Sequence, residues 1–478
     1  MRNFSMAKSP EPTGRAANER RIFDARAGEA PRIRGDLGHI VEPARETPVF
    51  ATTDVLVVGG GPAGTTAAVA AARLGANVIL TERYNHLGGL STGGLVIWID
   101  RMSDWNGEHI IRGLAEEILD RLPRDAIYGP PREQWGSRDA VLSAQWQKRH
   151  AAFHGTVTWA PMIDPEWLKL ELLRMVREAG VELLLHSWVA APLVEDGKAT
   201  GAILESKQGR MAIRARVVVD TTGDGDMFAG AGEAFDGDID SDDIHHTANT
   251  ASLLCGVDNA RWLRFMDDPP DAFRDFMRRG REQVKHFVLP FPGWRNDVTV
   301  FMGPRFAGFD VLKIDDLTTL ETLSRESLVD LLNYYRGNAP GFENAWIMLS
   351  APQLGARHSR RLVGLGRMTG ERTKTGAVEA DEIGVSPSLS PNLPNVSVPY
   401  GALLPRATEN LLVAGRHIST DAQTHTYMRE IPQCWLTGHA AGVAAALSVQ
   451  AGVSPRDVSV PDLQAALRRQ GAHLRDPA

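Results

Sequence analysis

Apolar and polar positions change period several times along the chain, and each change predicts an element. Residues 54–58 are a short apolar run rich in β-branched side chains, the length of one buried parallel strand. Residues 63–74 are almost all Ala and Thr with Val69, which predicts a narrow helix able to sit against a sheet, and Gly75 can stop it. A second strand, 77–81, follows. Residues 107–122 show helical spacing at Ile110, Ile111, Leu114, Ile118 and Leu122, whereas 123–161 read as irregular. The tryptophans there, Trp135, Trp146 and Trp159, either line a cavity or pack structurally. Asp164 and Pro165 open a clear helix as N-cap and first residue, with Leu168, Leu172, Leu173 and Val176 as its apolar stripe before Gly180. Strands return at 181–189, 199–205 and 211–219, with Glu195-Asp196-Gly197 as the turn between the first two. Further on, the pattern predicts a helix over 325–335, a strand over 410–414, a long small-residue helix over 433–450 and a closing helix over 461–469 before Gly471. No internal repeat is visible.

Glycines turn this pattern into chemistry. Gly59, Gly61 and Gly64 supply the GxGxxG spacing between the first strand and the first helix, with Pro62 at the helix start. In such a βαβ unit the glycines permit a tight turn, close approach to a pyrophosphate, and close helix–sheet packing. Free N–H groups and the dipole at the helix N-terminus favour a diphosphate, and Glu82, at the end of the second strand, stands where a carboxylate bonds a ribose hydroxyl. The unit therefore reads as dinucleotide-binding. Paired glycines recur in 84–95, and a third strand delivers Asp220-Thr221-Thr222-Gly223-Asp224-Gly225 at its carboxyl end, where ligands bind in such sheets.

The remaining composition narrows the picture. A net charge of -7 argues against nucleic acid as a partner. The only two cysteines, Cys255 and Cys434, form no CxxC, which argues against a disulfide framework, a zinc site or a redox dithiol and fits a cytoplasmic location. His245-His246 has no companions at metal spacing, so no metal is expected. No apolar run approaches the roughly 20 residues of a membrane span, and the first 30 residues lack the apolar core of a secretion signal. The expected organisation is an N-terminal arm (1–38), a nucleotide-binding part (39–235, with an excursion over 97–162), a mainly substrate-binding part (236–400), a return to the first part (401–455), and a C-terminal helix and tail (456–478).

Three separated stretches, the glycine unit with ERYNHLGG (82–89), VVVDTTGDGD (217–226), and NLLVAGRHIS with GHAAGVAAAL (410–419 and 438–447), resemble the FAD-dependent oxidoreductases distantly similar to fumarate reductase flavoprotein subunits. PGFENAWIMLSAPQLGARHSRRLVG (340–364) and VPYGALLP (398–405) extend the likeness. The resemblance implies an α/β fold: a Rossmann-like FAD-binding domain, whose parallel sheet carries a three-stranded β crossover, with an inserted α+β substrate domain. It implies that Gly59, Gly61, Pro62, Ala63 and Gly64 hold the FAD diphosphate, Glu82 the ribose and Arg83 the adenine side. Gly88, Gly89, Ser91 and Thr92 would pass near the diphosphate and flavin, Val189 would offer backbone groups to adenine, and Thr222 and Gly223 would lie on the adenosine half. Gly415, Arg416 and the helix segment with Gly438, His439 and Ala441 would face the ribityl chain and the pyrimidine edge, where a helix N-terminus stabilises reduced flavin.

Beside a flavin, the protein supplies orientation, a proton acceptor or donor, and charge stabilisation. The candidates are His425, Arg429, Arg357 and Tyr427, drawn from two Arg/His runs. Arg would clamp a carboxylate or carbonyl substrate while His moves a proton, but arginines in such runs also make structural ion pairs. His86 reads as a turn histidine before it reads as a covalent attachment point, so non-covalent FAD is expected. The leading expectation is a dehydrogenase or reductase with a separate electron partner and a small-molecule substrate. A monooxygenase or oxidase, an FAD-binding assembly subunit and a nicotinamide-binding protein are the alternatives, and a homo-oligomer is left open.

Overall fold

The computed structural model describes residues 38–237, 247–267 and 270–475. The arm expected over 1–38 falls almost wholly outside these residues, as do His245 and His246.

Strand β1 (Val49–Val58) leads into helix α1 (Pro62–Arg73) and strand β2 (Val78–Thr81). The last four residues of β1 and all of β2 are buried, as their continuous apolar run requires. Helix α2 spans only Leu114–Asp120. The periodicity at Ile110 and Ile111 is real burial, but Gly113 at φ 67 breaks the backbone just before the helix, so those residues are held in a loop. The irregular excursion contains one helix the pattern missed, α3 (Ala140–Gln147), capped by the Asp139 carboxylate on the N–H groups of Val141 and Leu142. Its tryptophans pack on neighbours: Trp135 stacks on Trp159 at 5.0 Å, and Trp146 lies tilted against Tyr128 at 5.8 Å.

Helix α4 (Pro165–Glu178) starts as expected, with Asp164 accepting from Glu166 and Trp167. The stretch expected as one strand over 181–189 is two. Strand β3 (Glu182–Leu184) pairs in parallel with β2, then His186 at φ 57 turns the chain into β4 (Trp188–Glu195). Strands β4, β5 (Lys198–Ser206) and β6 (Gly209–Asp220) form an antiparallel meander, its first turn made by Asp196 and Gly197 at positive φ. β6 lies parallel to β1 along its length, giving the order β3-β2-β1-β6-β5-β4.

A second, antiparallel sheet gathers β7 (Ser252–Cys255), β8 (Phe291–Pro292), β9 (Val298–Phe301) and β10 (Trp346–Ser350) in the order β8-β9-β7-β10. Helices α5 (Asn259–Phe265), α6 (Pro270–Gln283) and α7 (Ile314–Asn338) belong to this α+β region. It holds a core of its own around Trp262, Phe276, Phe301, Tyr335 and Phe342. Helix α7 is far longer than the expected 325–335. Its first turns are rich in threonine, and Thr318, Thr319 and Thr322 satisfy their hydroxyls on the carbonyls four residues back.

The chain returns through β11 (Glu382–Ser386) and β12 (Val396–Pro399) to β13 (Leu411–Val413), which pairs in parallel with the carboxyl end of β6. Helices α8 (Ala422–Met428), α9 (Ile431–Ala451) and α10 (Val460–Arg469) complete the described fold. Helix α9 is buried almost throughout and packs along α1, with the Thr66 hydroxyl donating to the Trp435 carbonyl at 3.0 Å. It starts two residues earlier than expected because Pro432 suits the first turn.

Candidate functional site

The carboxyl ends of β1, β2, β6 and β13 converge on one elongated cavity of about 330 Å³. Its floor is the turn from β1 into α1. Gly59 sits at φ 102, and a Cβ there would stand 2.6 Å from the Thr221 carbonyl, so only glycine lets this turn meet the end of β6. Gly61, Pro62 and Ala63 line the cavity. The first turn of α1 carries no side-chain cap and no acidic residue, so its N–H groups are left for a ligand. Gly64 lies beneath, packed on Gly59 and Thr221.

Glu82 lines the cavity at the end of β2, with Oε2 accepting from the Gly60 N–H at 2.7 Å and Oε1 from the Tyr84 N–H at 2.8 Å. Burial raises its carboxyl above the ordinary range, partly opposed by those N–H groups. The carboxylate therefore shapes the glycine loop itself while keeping lone pairs for a hydroxyl. Arg83 lies between two rings, 5.0 Å from Tyr84 and 5.1 Å from Trp188, and all three line the same end together with Val189. Tyr84 and Trp188 were not anticipated, although an aromatic next to Arg83 and another at the start of a strand were there to be read.

Gly89 also lines the cavity, but Gly88, Ser91 and Thr92 do not. They build the turn that positions it: the Gly88 N–H donates to the Gly60 carbonyl at 2.8 Å, and Ser91 and Thr92 bond the carbonyls of Gly88 and Leu87. His86 is held between Asn85 (2.7 Å) and Gln353 (3.2 Å), and burial pushes its imidazole down to about 4, the state of a locked turn histidine.

At the end of β6, Asp220 is fully buried and organises the next loop. Oδ1 accepts from the Thr222 N–H and hydroxyl at 3.0 and 2.8 Å, Oδ2 from the Met227 and Phe228 N–H groups at 3.1 and 3.0 Å, and His417 Nε2 lies 3.3 Å away. Burial alone would raise this carboxyl, but His417 and the donors outweigh it and hold it below the ordinary range. Its contribution to stability is thus present above the unfolded-state value and lost as pH falls through the folded-state one. Asp220→Asn is expected to cost about 3–5 kcal/mol near neutrality, with the gap from wild type narrowing in acid. Urea titrations of both proteins across pH check this.

Thr222, Gly223 and Asp224 line the cavity opposite the glycine turn, with Gly415 and Arg416 after β13. Arg416 is paired with Asp224, and its Nε donates to the Gly223 carbonyl at 2.7 Å. Ser359 also donates to Asp224 at 2.7 Å. Two arginines of the 357–361 run are structural pairs, Arg360 to Asp226 at 3.1 Å and Arg361 to Asp236 at 3.8 Å.

The cavity is also lined by Leu90, Val311, Leu317, Glu321, Gln353, Leu354, Arg429, Ile431 and Cys434. Of the four catalytic candidates only Arg429 reaches it. His425 is buried with its ring 5.1 Å from that of His358, so the two Arg/His runs do meet, behind the wall. Tyr427 is packed in the main apolar core, where burial raises its hydroxyl, and Arg357 is half-buried outside the lining. Burial pushes the Cys434 thiol up to about 12, which disfavours the thiolate.

Gly438, His439 and Ala441 do not face the cavity. Gly438 packs on the backbone of α1, His439 bonds Gln470 at 2.9 Å, and Ala441 is in the core. Helix α9 begins two turns before Gly438, so its N-terminal end at Ile431 is the part that meets the cavity.

A cavity lined by a glycine turn at a helix N-terminus, an acidic strand end and a group of apolar side chains has the parts needed to bind an extended dinucleotide. The profile of the family described as FAD dependent oxidoreductase matches residues 54–467, and the chain belongs to that family. It is an oxidoreductase, and its cofactor is FAD. The chain is 26% identical over 179 residues to digeranylgeranylglycerophospholipid reductase of Thermoplasma volcanium, spanning 36% of this chain and 39% of that protein. It is 29% identical over 201 residues to probable fumarate reductase Ifc3 of Shewanella frigidimarina, spanning 36% and 32%. These matches therefore cover less than two fifths of either relative. Among solved structures, a geranylgeranyl bacteriochlorophyll reductase-like protein of Thermoplasma acidophilum matches at TM-score 0.44 and 16% identity over 88% of this chain and 83% of that one. Among the described residues no helix is long and apolar enough to cross a membrane, and no three His, Cys, Asp or Glu side chains gather to hold a metal.

Proposed function

We propose that this protein is a dehydrogenase or reductase that exchanges two electrons between its FAD and a small organic substrate bound at the apolar end of the cavity. The observation that carries the reading is the continuity of that cavity from the nucleotide-binding glycine turn to a chamber walled by Leu90, Leu317, Leu354 and Ile431, with one arginine, Arg429, on its wall. Gly61, Pro62, Ala63, Glu82 and Gly415 would hold the cofactor, and the uncapped start of α1 suits its diphosphate. When bound, the flavin supplies the hydride acceptor or donor. The protein's own task is to exclude water with the apolar wall and to orient a carboxylate or carbonyl through Arg429. The α+β region over 247–350, which contributes Val311, Leu317 and Glu321 to the wall, is the substrate-side part. Both described cysteines are free, which suits a reducing compartment such as the cytoplasm.

The test is the reoxidation of the photoreduced, purified protein by dissolved oxygen, followed in the flavin absorbance without substrate. Slow reoxidation is expected for a dehydrogenase or reductase with a separate electron partner. Fast reoxidation would replace that reading with an oxidase or monooxygenase.

A further inference from the structure

Gln353 is a cavity-lining polar residue whose side chain is oriented by two others behind the wall. It is only 6% exposed, so the little surface it keeps belongs to the cavity it lines. Its backbone N–H donates to the Gly93 carbonyl at 3.2 Å, which places the main chain. Its amide nitrogen, Nε2, lies 3.2 Å from His86 Nε2, and the other nitrogen of that ring, Nδ1, lies 2.7 Å from Asn85 Oδ1. These three residues settle one another's protons. Asn85 Oδ1 can only accept, so His86 Nδ1 carries the hydrogen. Burial pushes the imidazole down to about 4, so near neutrality the ring is uncharged and Nε2 has a lone pair to accept from the Gln353 amide. The amide is thereby fixed with its nitrogen toward His86 and its oxygen turned away.

Two further observations support this arrangement. A Cβ at Gly93 would stand 2.2 Å from His86 Nε2 and 2.9 Å from Gln353 Cδ, so the missing side chain at 93 leaves the room in which the bond forms. Gln353 Oε1 accepts no hydrogen bond among the described residues, yet it is not one of the polar atoms sealed away from solvent. On so buried a residue, the open side of that oxygen is the cavity. A desolvated amide carbonyl without a donor is costly, so the molecule that fills the cavity has to bring one.

We propose that Gln353 is a cofactor-contacting residue whose Oε1 accepts a hydrogen bond from an N–H or hydroxyl group of FAD, and that His86, backed by Asn85, is the positioning residue that keeps this oxygen turned to the cavity. This rests on the reading that the cavity holds FAD. His86 touches no ligand in this role. Without it the amide turns between presenting its oxygen and presenting its NH2 group, and each binding event has to select the first.

The experiment measures FAD released on serial dilution of the holoprotein, read as recovered flavin fluorescence, with Gly61→Glu as the control for the cavity itself. Gln353→Leu, close in size but without the acceptor, should weaken FAD by at least about tenfold. His86→Leu should show most of the same loss, and His86→Gln, whose amide oxygen can replace Nε2 as the acceptor, should recover most of it. Adding His86→Leu to Gln353→Leu should cost nothing further, because the histidine acts only through the glutamine; a merely structural turn histidine would give additive losses and no rescue. Additive losses overturn the positioning role. Unchanged FAD affinity in Gln353→Leu, with Gly61→Glu colourless, overturns the contact and leaves the cavity reading standing. A yellow Gly61→Glu protein overturns both.

Discussion

Gly61→Glu is expected to give a folded, soluble and colourless protein. The position is unusual in being both structural and open. It caps α1, yet a Cβ built there meets no atom within 4 Å, so a side chain has room to leave the backbone without distorting it. The room it enters is the cavity. A carboxylate placed at the uncapped N-terminus of α1 would satisfy the same N–H groups and dipole that a diphosphate would use. Affinity for FAD should fall by at least about a thousandfold, or about 4 kcal/mol. Far-ultraviolet circular dichroism should match that of wild-type apoprotein, while the flavin bands at 1:1 mixing should be absent. Full flavin occupancy in this variant would remove the glycine turn from the cofactor site.

Gly438→Val should fail in the opposite manner, by losing the fold. Gly438 and Gly442 lie one turn apart on α9 and face α1. A Cβ at Gly438 would stand 2.1 Å from the Ala63 carbonyl oxygen and 2.4 Å from the Thr66 hydroxyl, and one at Gly442 would stand 2.1 Å from the Ala67 carbonyl. These obstacles are backbone or a hydroxyl already bonded across the interface, so the helices must part rather than adjust a rotamer. Overpacking of well-filled cores costs about 1–3 kcal/mol, and backbone against backbone places this case at or above the upper end. Since Ala63 also lines the cavity, separation of α1 from α9 would disturb the cofactor cradle as well. A thermal scan following released flavin fluorescence should show a clearly lowered midpoint, or the protein should be recovered insoluble. A midpoint equal to wild type would mean that the two helices are not in such close contact.

The contrast between these glycines bears on what could be read without a structure. The turn 59–64 was legible because its function is local: strand, glycines and helix follow one another, and each glycine's task depends on near neighbours. The end of β6 was legible for the same reason, as a strand delivering a polar, glycine-rich turn. The family resemblance places Gly438 at the cofactor, but a glycine in a small-residue helix gives no direction of its own; whether it faces a ligand or another helix depends on where that helix begins. Ile431 and Pro432 set that start, and the apolar pattern of a fully buried helix has no phase to reveal it. Likewise, the two Arg/His runs could be seen in the sequence, but not which members would point outward. Arg360 and Arg361 found carboxylates, His425 found His358, and Arg429 alone reached the wall. Helix α7 extends well ahead of the expected 325–335 because the hydroxyls of the threonines in its first turns bond back along the helix.

The order in which β6, β13 and α9 join the first sheet has a consequence for synthesis on the ribosome. Thr221 bonds back across 163 residues to Val58, and Thr66 bonds forward across 369 residues to Trp435. While the α+β region is still being translated, the nascent chain can pair β1 with β2 and later with β6, but the cradle lacks Gly415, Arg416 and the covering helix. Such distant closures are slow, and they leave the apolar face of α1 exposed until α9 emerges. Retention of flavin thus waits for β13 and α9, and the emergence of that segment from the ribosome is the step that converts a partly formed sheet into a cofactor-binding protein.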